Sequence, residues 1–443
     1  MKKKKIAVVD RISDLPESLL CHILSFLPTK ESVATSILST RWKLLWTLVP
    51  KLDLDSDEIT ASELLRDDEY LRESEIKFAH VVSSVLAQQE RGELRTFRLR
   101  WKFYWDGSHL DAWLRTVAAR KVKELDLRIY TDGENLKLPP SFLSCTTLVV
   151  LKLSDTIALD IDTPSLSFNF PSLKKLLVAS LMPSNSQEYS FLKLLSGCPV
   201  LEDLSLTTEL FEREYKICVP TLKRLSIHDF HYDYDYELKI NAPALEYLNF
   251  FGDLRDIKFY EKLNNLVRAD VYIAILDSVP EEFRWKWVSN LFAALNNVKL
   301  LSFSPRGPVW NNFENIYPSS FQNLVQLVFV VNGQNWNVLP DLLQKAPNLE
   351  TLFITTDYDI VKINSYRKEA QYNPDNLSSL TSFYFRDFFG DKDQVELVKY
   401  VLKEARVLKT ATIEVSREEL KESVLEKLSM FPRCSTTCLL RVE

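Results

Sequence analysis

Residues 220–250 read PTLKRLSIHDFHYDYDYELKINAPALEYLNF, and two copies of one short pattern within them decide the fold. Leu222 and Leu245 each begin a run of the form apolar-x-x-apolar-x-apolar, and each follows a proline by two residues. Alternating apolar residues in so short a run are typical of a strand with one buried face. The proline before each run suits a chain that turns into a strand. The stretch therefore predicts two similar strands whose starts lie 23 residues apart.

The same pattern recurs in both directions along the chain from this stretch. Eleven further copies begin at Leu94, Val122, Leu148, Leu173, Leu201, Leu266, Val298, Leu324, Leu349, Leu380 and Leu408, and successive starts lie 21 to 32 residues apart. Such a period is typical of leucine-rich repeats, in which each unit adds one strand to a parallel sheet. No unit can bury its apolar side alone, so the units must stack. The predicted fold is an α/β solenoid with a parallel β sheet on its concave face and helices and loops outside.

A different stretch precedes the repeats, where residues 10–46 read DRISDLPESLLCHILSFLPTKESVATSILSTRWKLLW. Pro16 suits a first helical turn, and the apolar residues from Leu19 to Leu27 recur at helical period. Pro28 ends that helix, Thr29 can cap a second one, and a third short piece with two tryptophans follows. So short a stretch cannot bury two tryptophans and a dozen aliphatic side chains within itself. Part of its apolar surface must therefore contact something else.

These residues resemble an F-box, the helical module that docks a protein onto the Skp adaptor of cullin–RING ubiquitin ligases. The form LP-x-x-LL…ILSFLPTKE…TS-x-LS-x-RW-x-x-LW is that of the large plant F-box family. A plain three-helix cap on the neighbouring domain is the simpler alternative. The resemblance implies that the adaptor-binding residues are Leu15, Pro16, Leu20, Ile23, Leu24, Leu27, Pro28, Val33, Trp42, Leu45 and Trp46.

The end of the chain carries a second resemblance. Val395, Val398 and Leu402 lie on one face of a predicted helix, and a strand pattern starts at Leu408. With Phe431-Pro432-Arg433 before a terminal strand, this part is similar to the FBD module that follows the repeats in many plant F-box proteins. The predicted order is a three-helix F-box at 8–55, a helical and acidic connector at 56–93, leucine-rich repeats at 94–370 and an FBD module at 371–443 that continues the solenoid.

Composition narrows the class of protein. The chain has 443 residues, 46% of them hydrophobic, and a net charge of −6, which argues against a large nucleic-acid-binding surface. No run approaches 18 uncharged apolar residues, so we expect no membrane span. The six cysteines are scattered, as is usual for reduced thiols. We therefore expect a protein of the nucleus and/or cytoplasm.

No motif for catalysis stands out. The chain holds only 8 glycines and lacks both phosphate-binding loops, G-x-x-x-x-G-K and G-x-G-x-x-G. It also lacks the catalytic motifs G-x-S-x-G and H-E-x-x-H. We therefore expect a non-catalytic protein without cofactor or metal. Asp53-x-Asp55-x-Asp57 lacks the glycine and the glutamate of a calcium loop, and a solvated acidic connector is preferred. Residues 228–237, HDFHYDYDYE, could hold a metal or contact a basic target. An inter-repeat connection with inward tyrosines and solvated acids is the favoured interpretation.

The resemblance implies a function as well as a fold. It predicts a substrate-receptor subunit of an SCF-type ubiquitin ligase, which binds the Skp adaptor and through it cullin, and which holds an unknown protein target on its repeats. Such a subunit does no chemistry itself, because it acts by raising the effective concentration of the target near the charged enzyme. Two alternatives are a non-degradative interaction scaffold and a small-ligand sensor. The sensor would need a pocket rich in arginine and lysine on its concave face, and the sequence shows no sign of one.

A target surface can be proposed from the repeat pattern. Residues between the three apolar positions alternate onto the concave face. Over five units they are Lys175, Leu177, Ala179, Asp203, Ser205, Thr207, Arg224, Ser226, His228, Tyr247, Asn249, Phe251, Arg268, Asp270 and Tyr272. Aromatic residues and arginine are the composition of interface hot spots. We hypothesise that the target docks on Arg224, His228, Tyr247, Phe251, Arg268 and Tyr272, the alternative being a solvated sheet face.

Overall fold

The computed structural model describes residues 12, 14–56, 68–89, 94–101, 108–129, 136–137, 142–155, 157–158, 168–179, 190–207, 214–228, 237–253, 256–274, 280–306, 310, 320–332, 335–357 and 377–443. The chain divides into two compact units, and the boundary in sequence lies between Leu201 and Glu202. Among the helices in these residues, none combines the length and the apolar character that crossing a membrane requires.

The first unit begins with short helices, as predicted. Helix α1 spans Glu17–Leu24 and α2 spans Thr29–Ala34, and 3-10 turns follow at Thr35–Ile37 and Leu45–Leu48. Pro16 and Pro28 precede the two helices in extended conformation, where a missing N–H is tolerated. The prediction that Thr29 caps α2 is wrong, because its hydroxyl instead accepts the backbone N–H of Asp53 at 2.7 Å. That hydrogen bond ties α2 to a backbone group 24 residues farther along the chain.

Helix α1 and the tryptophan-containing close of this module share one small core. Leu20 and Leu24 of α1 pack against Trp42 and Leu45, which belong to the third short piece of the sequence pattern, and against Val49, which follows it. All five side chains are buried. The apolar spacing of α1 and the tryptophan-containing close of the motif therefore serve, first of all, to hold the module together.

A parallel sheet fills the rest of the first unit. Its elements are β1 Lys51–Asp55, α3 Asp68–Gln88, β2 Thr96–Trp101, α4 Ser108–Ala119, β3 Glu124–Ile129, β4 Leu136–Lys137, β5 Val150–Asp155, β6 Ile157–Ala158, β7 Lys175–Val178 and α5 Ser190–Ser196. Strands β1, β2, β3, β5 and β7 pair in that order, all parallel, and β4 pairs with β6. Parallel neighbours joined by helices or long connections are what stacked repeats require.

Strand β1 corrects the interpretation of the acidic stretch. Asp53 and Asp55 lie in this strand, and their side chains pair with Arg98 at 3.1 Å and Arg100 at 3.2 Å on β2. The carboxylate of Asp53 also pairs with Lys51 at 3.1 Å. A solvated connector at these two residues is therefore wrong, because the sheet supplies cations from 45 residues farther along the chain. Position 57 lies outside the described residues.

The second unit continues the same architecture. Its elements are β8 Asp203–Thr207, β9 Glu214–Cys218, β10 Arg224–His228, β11 Glu237–Asn241, β12 Tyr247–Asp253, β13 Asp256–Phe259, β14 Arg268–Ala274, α6 Glu281–Ala294, β15 Leu300–Arg306, β16 Gln326–Val331, α7 Val338–Lys345, β17 Thr351–Thr356, β18 Ser382–Phe388, α8 Lys392–Glu404, β19 Thr410–Val415, a 3-10 turn Glu418–Leu420, α9 Lys421–Ser429 and β20 Leu439–Val442. Strands β8, β10, β12 and β14–β20 form one parallel sheet.

Each of the thirteen predicted repeat starts leads into a strand of the two units. Leu222, Leu225 and Ile227 illustrate why, since all three side chains of the pattern are buried while the residues between them face outward. Helix α6 covers the buried side, where the rings of Phe292 and Phe303 lie 5.3 Å apart edge to face. The α/β class with a long parallel sheet is confirmed.

A second, small sheet lies in the returning segments of the first repeats of this unit. Strands β9, β11 and β13 pair in parallel, in the order β13, β11, β9. Their inward side chains, such as Ile217, Leu238 and Ile257, are buried. These repeats therefore return by a strand, whereas later ones return by helices α6, α7 and α8. The repeat pattern predicts helices and loops in these segments, and the three strands correct that prediction.

The C-terminal elements agree with the pattern read from the sequence. Helix α8 buries Val395, Val398 and Leu402 on one face, and the strand predicted at Leu408 is β19. A terminal strand, β20, pairs with β19 in parallel. This part therefore continues the same parallel ladder by two more helix-and-strand units, α8 with β19 and α9 with β20.

Candidate functional site

Helix α1 divides its apolar residues into two neighbouring stripes. Leu20 and Leu24 form the inner stripe and are buried. Leu19 and Ile23 form the adjacent stripe, and both remain exposed although they share the same helical period. Phe26 extends the outer stripe beyond the helix and is 73% exposed. The module therefore keeps one apolar stripe for its own core and presents the other outward.

The members of the predicted adaptor-binding set differ in how far they are exposed. Five of its eleven members are buried, with 0 to 6% exposure: Leu20, Leu24, Trp42, Leu45 and Trp46. These five side chains have almost no accessible area in the chain alone, and their direct contact with the adaptor stays a prediction. Four of them, Leu20, Leu24, Trp42 and Leu45, are buried in the core of the module itself. The rest, Leu15, Pro16, Ile23, Leu27, Pro28 and Val33, are half-buried or exposed, and their contact role stays a prediction.

Exposed apolar side chains concentrate on this module. Among the described residues, nineteen large apolar side chains are exposed, and eight of them fall within residues 12–48. They are Ile12, Leu19, Ile23, Phe26, Ile37, Leu38, Leu44 and Leu48. Of these eight, only Ile23 belongs to the adaptor-binding set predicted from the sequence. Scattered exposed apolar residues need no explanation, but a concentration of this kind marks an interaction surface.

The open face of the second unit assembles the predicted target-binding residues. Strand register places Arg224, Tyr247 and Arg268 side by side across β10, β12 and β14. It places His228, Phe251 and Tyr272 side by side in a second row. The structure thus brings together all six residues that the sequence pattern selected, and we call these six residues the open-face cluster.

Asp270 organises the first row of the open-face cluster. It accepts a hydrogen bond from the Tyr247 hydroxyl at 2.7 Å and one from the Arg268 guanidinium at 3.0 Å. The guanidinium of Arg268 also lies over the Tyr247 ring, 5.6 Å from its centroid. Burial, followed by the hydrogen bond to Asp270, raises the pKa of Tyr247 to about 12. The hydrogen bond to Asp270 likewise raises the pKa of Arg268.

The second row is aromatic. Ring centroids of Phe251 lie 5.9 Å from those of His228 on one side and 5.9 Å from those of Tyr272 on the other. The side-chain amide nitrogen of Asn249 lies 3.1 Å from Nε2 of His228. Burial lowers the pKa of His228, which favours the neutral imidazole that can accept this hydrogen bond. The row offers three rings on rigid strands.

The charges of the open-face cluster are already neutralised. Arg224 donates to the carboxylate of Asp203 at 3.2 Å, and Arg268 donates to Asp270. A cationic surface for acidic partners is therefore not what these arginines form. The arrangement offers aromatic area and satisfied hydrogen-bonding groups, which suit a partner with apolar and neutral polar side chains.

The structure describes little of the other site considered from the sequence, residues 228–237. Of the stretch 228–237, positions 229–236 lie outside the described residues, and Glu237 begins β11. In the described part of the chain, no cluster of three or more His, Cys, Asp or Glu side chains is arranged to hold a metal ion.

Comparison with known families matches three stretches of the chain. An F-box domain model matches residues 12–54, a model described as FBD-associated F-box protein At5g56370, LRR repeats, matches 110–267, and an FBD model matches 376–413. A putative FBD-associated F-box protein of Arabidopsis thaliana, At3g50710, is 31% identical over 98% of this chain and 100% of its own length. The chain belongs to the FBD-associated F-box/LRR-repeat family. An F-box/FBD/LRR-repeat protein of the same plant, At4g00160, is 32% identical over 97% of this chain and 93% of its own.

Family membership confirms the resemblance drawn from the sequence and sets aside the plain helical cap. The F-box match contains α1, α2 and all of β1 except Asp55, and the FBD match contains β18 and α8. The repeat match ends just before β14, although β14 to β17 continue the same register. The boundaries at 8–55, 56–93, 94–370 and 371–443 stay predictions. The names of the relatives describe F-box, FBD and repeat proteins and mention no enzymatic activity.

Proposed function

We propose that this F-box protein is a substrate-receptor subunit of an SCF-type cullin–RING ubiquitin ligase. Its F-box binds a Skp-type adaptor and through it cullin, and its repeats hold a protein target for ubiquitination. F-box domains in general bind such adaptors, which makes family membership the first support. The chain positions the target and catalyses no reaction itself. It acts in the nucleus and/or cytoplasm. Holding a substrate lysine near an activated thioester raises its effective concentration.

The observation that carries the proposal is the outer apolar stripe of the F-box. Leu19, Ile23 and Phe26 are exposed beside a core that is already complete. Ile37, on the 3-10 turn after α2, is 89% exposed. Exposing this much apolar surface to water is unfavourable in free energy, and covering it with a partner is favourable. An adaptor is the partner that the family supplies for this module.

The experiment is to place charges on this surface without touching the core. The double variant Phe26→Glu, Ile37→Glu should weaken binding of a purified Skp-type adaptor by at least about 100-fold, since central anchors dominate interface energies. Titration calorimetry measures the affinity, and thermal unfolding checks that the fold is kept. Met430→Glu is the matched control, because Met430 is 72% exposed and lies in the C-terminal module. Undiminished adaptor binding by the double variant would rule out this surface.

Target capture is the second half of the proposal, and the open-face cluster is the surface we assign to it. The triple variant Arg224→Glu, Arg268→Glu, Tyr247→Ala should lose its targets in proximity labelling under proteasome inhibition. Adaptor binding should stay near normal, because none of the three residues belongs to the F-box. An unchanged set of labelled proteins would move the target surface elsewhere.

A non-degradative scaffold differs from a substrate receptor in one measurable respect. Removing a receptor makes its captured targets accumulate, whereas removing a scaffold leaves their half-lives unchanged. Pulse-chase measurement of the labelled targets in cells with and without the chain separates the two. Constant half-lives would favour the scaffold.

A further inference from the structure

The open face of the second unit carries a second group of aromatic and arginine side chains, on β17 and β18. Phe353 and Tyr384 are register partners on these strands, and their rings stack with centroids 5.9 Å apart and an angle of 23° between their planes. The guanidinium of Arg386 lies over the Phe353 ring, 5.4 Å from its centroid. We call these three residues the C-terminal cluster. Two of them, Tyr384 and Arg386, lie within the FBD match.

The C-terminal cluster is accessible from solvent. Tyr384 is 37% exposed, the side chain of Arg386 is 56% exposed, and Phe353 is half-buried. Arg386 also pairs with Glu414 on β19 at 3.2 Å, but an ion pair between two side chains that are both more than half exposed contributes little to stability. The core lies on the opposite side of β17 and β18, whose alternate residues are buried. The cluster is therefore available to a partner.

Strand β18 departs from regular pairing at Arg386. Its register to β19 shifts between Phe385 and Phe388, and Asp387 has a φ of 58°, in the left-handed region that few non-glycine residues adopt. The carboxylate of Asp387 accepts a hydrogen bond from the Thr355 hydroxyl on β17 at 3.2 Å. Bulges of this kind re-aim side chains and are over-represented next to active sites. The bulge therefore marks the same place on the open face as the exposed rings.

The open face around the C-terminal cluster is polar but nearly uncharged. Its outward hydroxyl and amide side chains on β16 to β19 are Gln326, Thr351, Thr355, Ser382, Thr410 and Thr412. Charged side chains in these four strands are limited to Arg386, Asp387 and Glu414. Such a surface suits a partner with apolar and uncharged polar side chains. The open-face cluster, whose arginines are neutralised by carboxylates, suits the same kind of partner.

The C-terminal cluster and the open-face cluster lie on one sheet within the second unit. Strands β15 and β16 separate β14, which belongs to the open-face cluster, from β17. The row that contains Asp270 continues through Ser302 and Val328 to Phe353. Neighbouring strands lie about 4.8 Å apart, so roughly 14 Å along the sheet separates the two clusters. Because Ser302 and Val328 have short side chains, this row does not obstruct a partner that contacts both clusters.

We infer that the C-terminal cluster binds a second segment of the same protein target, so that the target contacts the repeats and the FBD module together. The segment carries apolar and uncharged polar side chains, because these match the surrounding face. Two joined contacts on one partner raise its overall affinity above that of either contact alone. The inference rests on the proposed function, since it takes the open-face cluster as the first contact.

The test compares which proteins two variants fail to label. Each full-length variant is fused to a biotin ligase and expressed under proteasome inhibition, and labelled proteins are quantified by mass spectrometry. The proteins that the triple variant of the open-face cluster no longer labels form the reference set. The variant Phe353→Thr, Tyr384→Thr should label the same set at least about tenfold less, consistent with the loss of aromatic anchors. Threonine is chosen because it suits a strand and already occurs on this face.

The matched control is Tyr260→Thr, Phe283→Ala, which removes two exposed aromatic rings from the small-sheet segment and from α6, away from the open face. It should label the whole reference set. Adaptor binding and melting temperature of the purified variants check that the fold is kept. Tyr384→Glu, which changes a single exposed side chain, should lose the same set and replaces the double variant if that variant melts early.

The outcomes separate this inference from the proposed function. If the open-face variant loses the reference set and the variants of the C-terminal cluster retain it, the inference is overturned and the proposed function stands. Loss of a different set of proteins by the C-terminal variants would also overturn the inference. If the open-face variant loses no protein, the proposed target surface fails, and the inference fails with it.

Discussion

The outer surface of the F-box and the open-face cluster of the repeats are both exposed, but they are built in opposite ways. On the F-box, Phe26 and Ile37 present apolar side chains with most of their area in water. On the open-face cluster, Tyr247, Arg268 and their neighbours already bond to one another through Asp270. The apolar side chains of the first surface are not covered by the rest of the described chain. The polar groups of the second surface are already hydrogen-bonded to one another in the absence of a partner.

The roles proposed for the two surfaces would account for this difference. A partner that is always the same can cover a fixed apolar patch, and the unfavourable hydration of the free patch drives the association. A surface that binds a target benefits from side chains that are already held in place and hydrogen-bonded to one another. A partner that displaced such ordered groups would have to replace each of their hydrogen bonds. The strands hold Tyr247 and Phe251 in fixed rows, so little conformational freedom is lost on binding.

The largest effect should come from truncating a buried side chain of the F-box, compared with truncating an exposed one. Leu24→Ala removes a buried side chain from the module core and should lower the stability of the module by roughly 2–5 kcal/mol. Phe26→Ala, two residues away and exposed, should change it by less than about 0.5 kcal/mol. Denaturant unfolding followed by circular dichroism and by tryptophan fluorescence measures both. Equal losses would mean that the two stripes do not differ as the structure has them.

An intermediate effect should follow when the centre of the open-face cluster is neutralised. Asp270→Asn removes the negative charge beside Tyr247, so the pKa of that phenol should fall from about 12 toward its ordinary value of about 10. Burial keeps part of the elevation. Phenolate absorbance measures the titration, and Tyr247→Phe identifies the signal. Asp391→Asn, an exposed aspartate just before α8, is the control and should leave the titration unchanged. A fixed pKa in Asp270→Asn would contradict the role of Asp270.

The smallest effect concerns pH. Burial lowers the pKa of His228 in the folded chain below its unfolded value, which is about 6.5. The unfolded state therefore takes up the proton first, and stability falls as the pH drops below about 6.5 until the folded imidazole is protonated as well. His228→Gln should reduce this acid-side loss. Melting temperatures across the interval from about pH 7.5 to about pH 5 measure it, and parallel curves for the two proteins would contradict the prediction.

Repeat strands were predictable because their pattern leaves one solution. Three apolar side chains at the spacing of Leu222, Leu225 and Ile227 can all point inward only in a strand entered through a turn. Once successive units are stacked in register, the rows of Arg224 with Tyr247 and of His228 with Phe251 follow directly. The members of the open-face cluster were therefore accessible from the sequence, although the ion pairs that neutralise its arginines were not.

The small sheet was missed although a signal for it existed. Strands β9, β11 and β13 read EYKIC, ELKIN and DIKF, which is a repeated acidic-apolar-lysine-apolar alternation. Period-2 alternation of this kind predicts a half-buried strand. Strand β1 reads KLDLD and carries the same alternation, but Asp53 and Asp55 look solvated until Arg98 and Arg100 are placed beside them.

What the sequence alone determined is the order of modules and the inward face of every repeat, since local spacing of apolar residues dictates both. Only the tertiary structure decided which apolar stripe of α1 is buried. Leu19 and Leu20 stand on neighbouring stripes of equal hydrophobicity, and helical period cannot rank them. Trp42 and Leu45 determine which stripe is buried, because they pack against Leu20 and Leu24 and leave the other stripe exposed to water. Packing between segments distant in sequence sets that outcome, so no local pattern contains it.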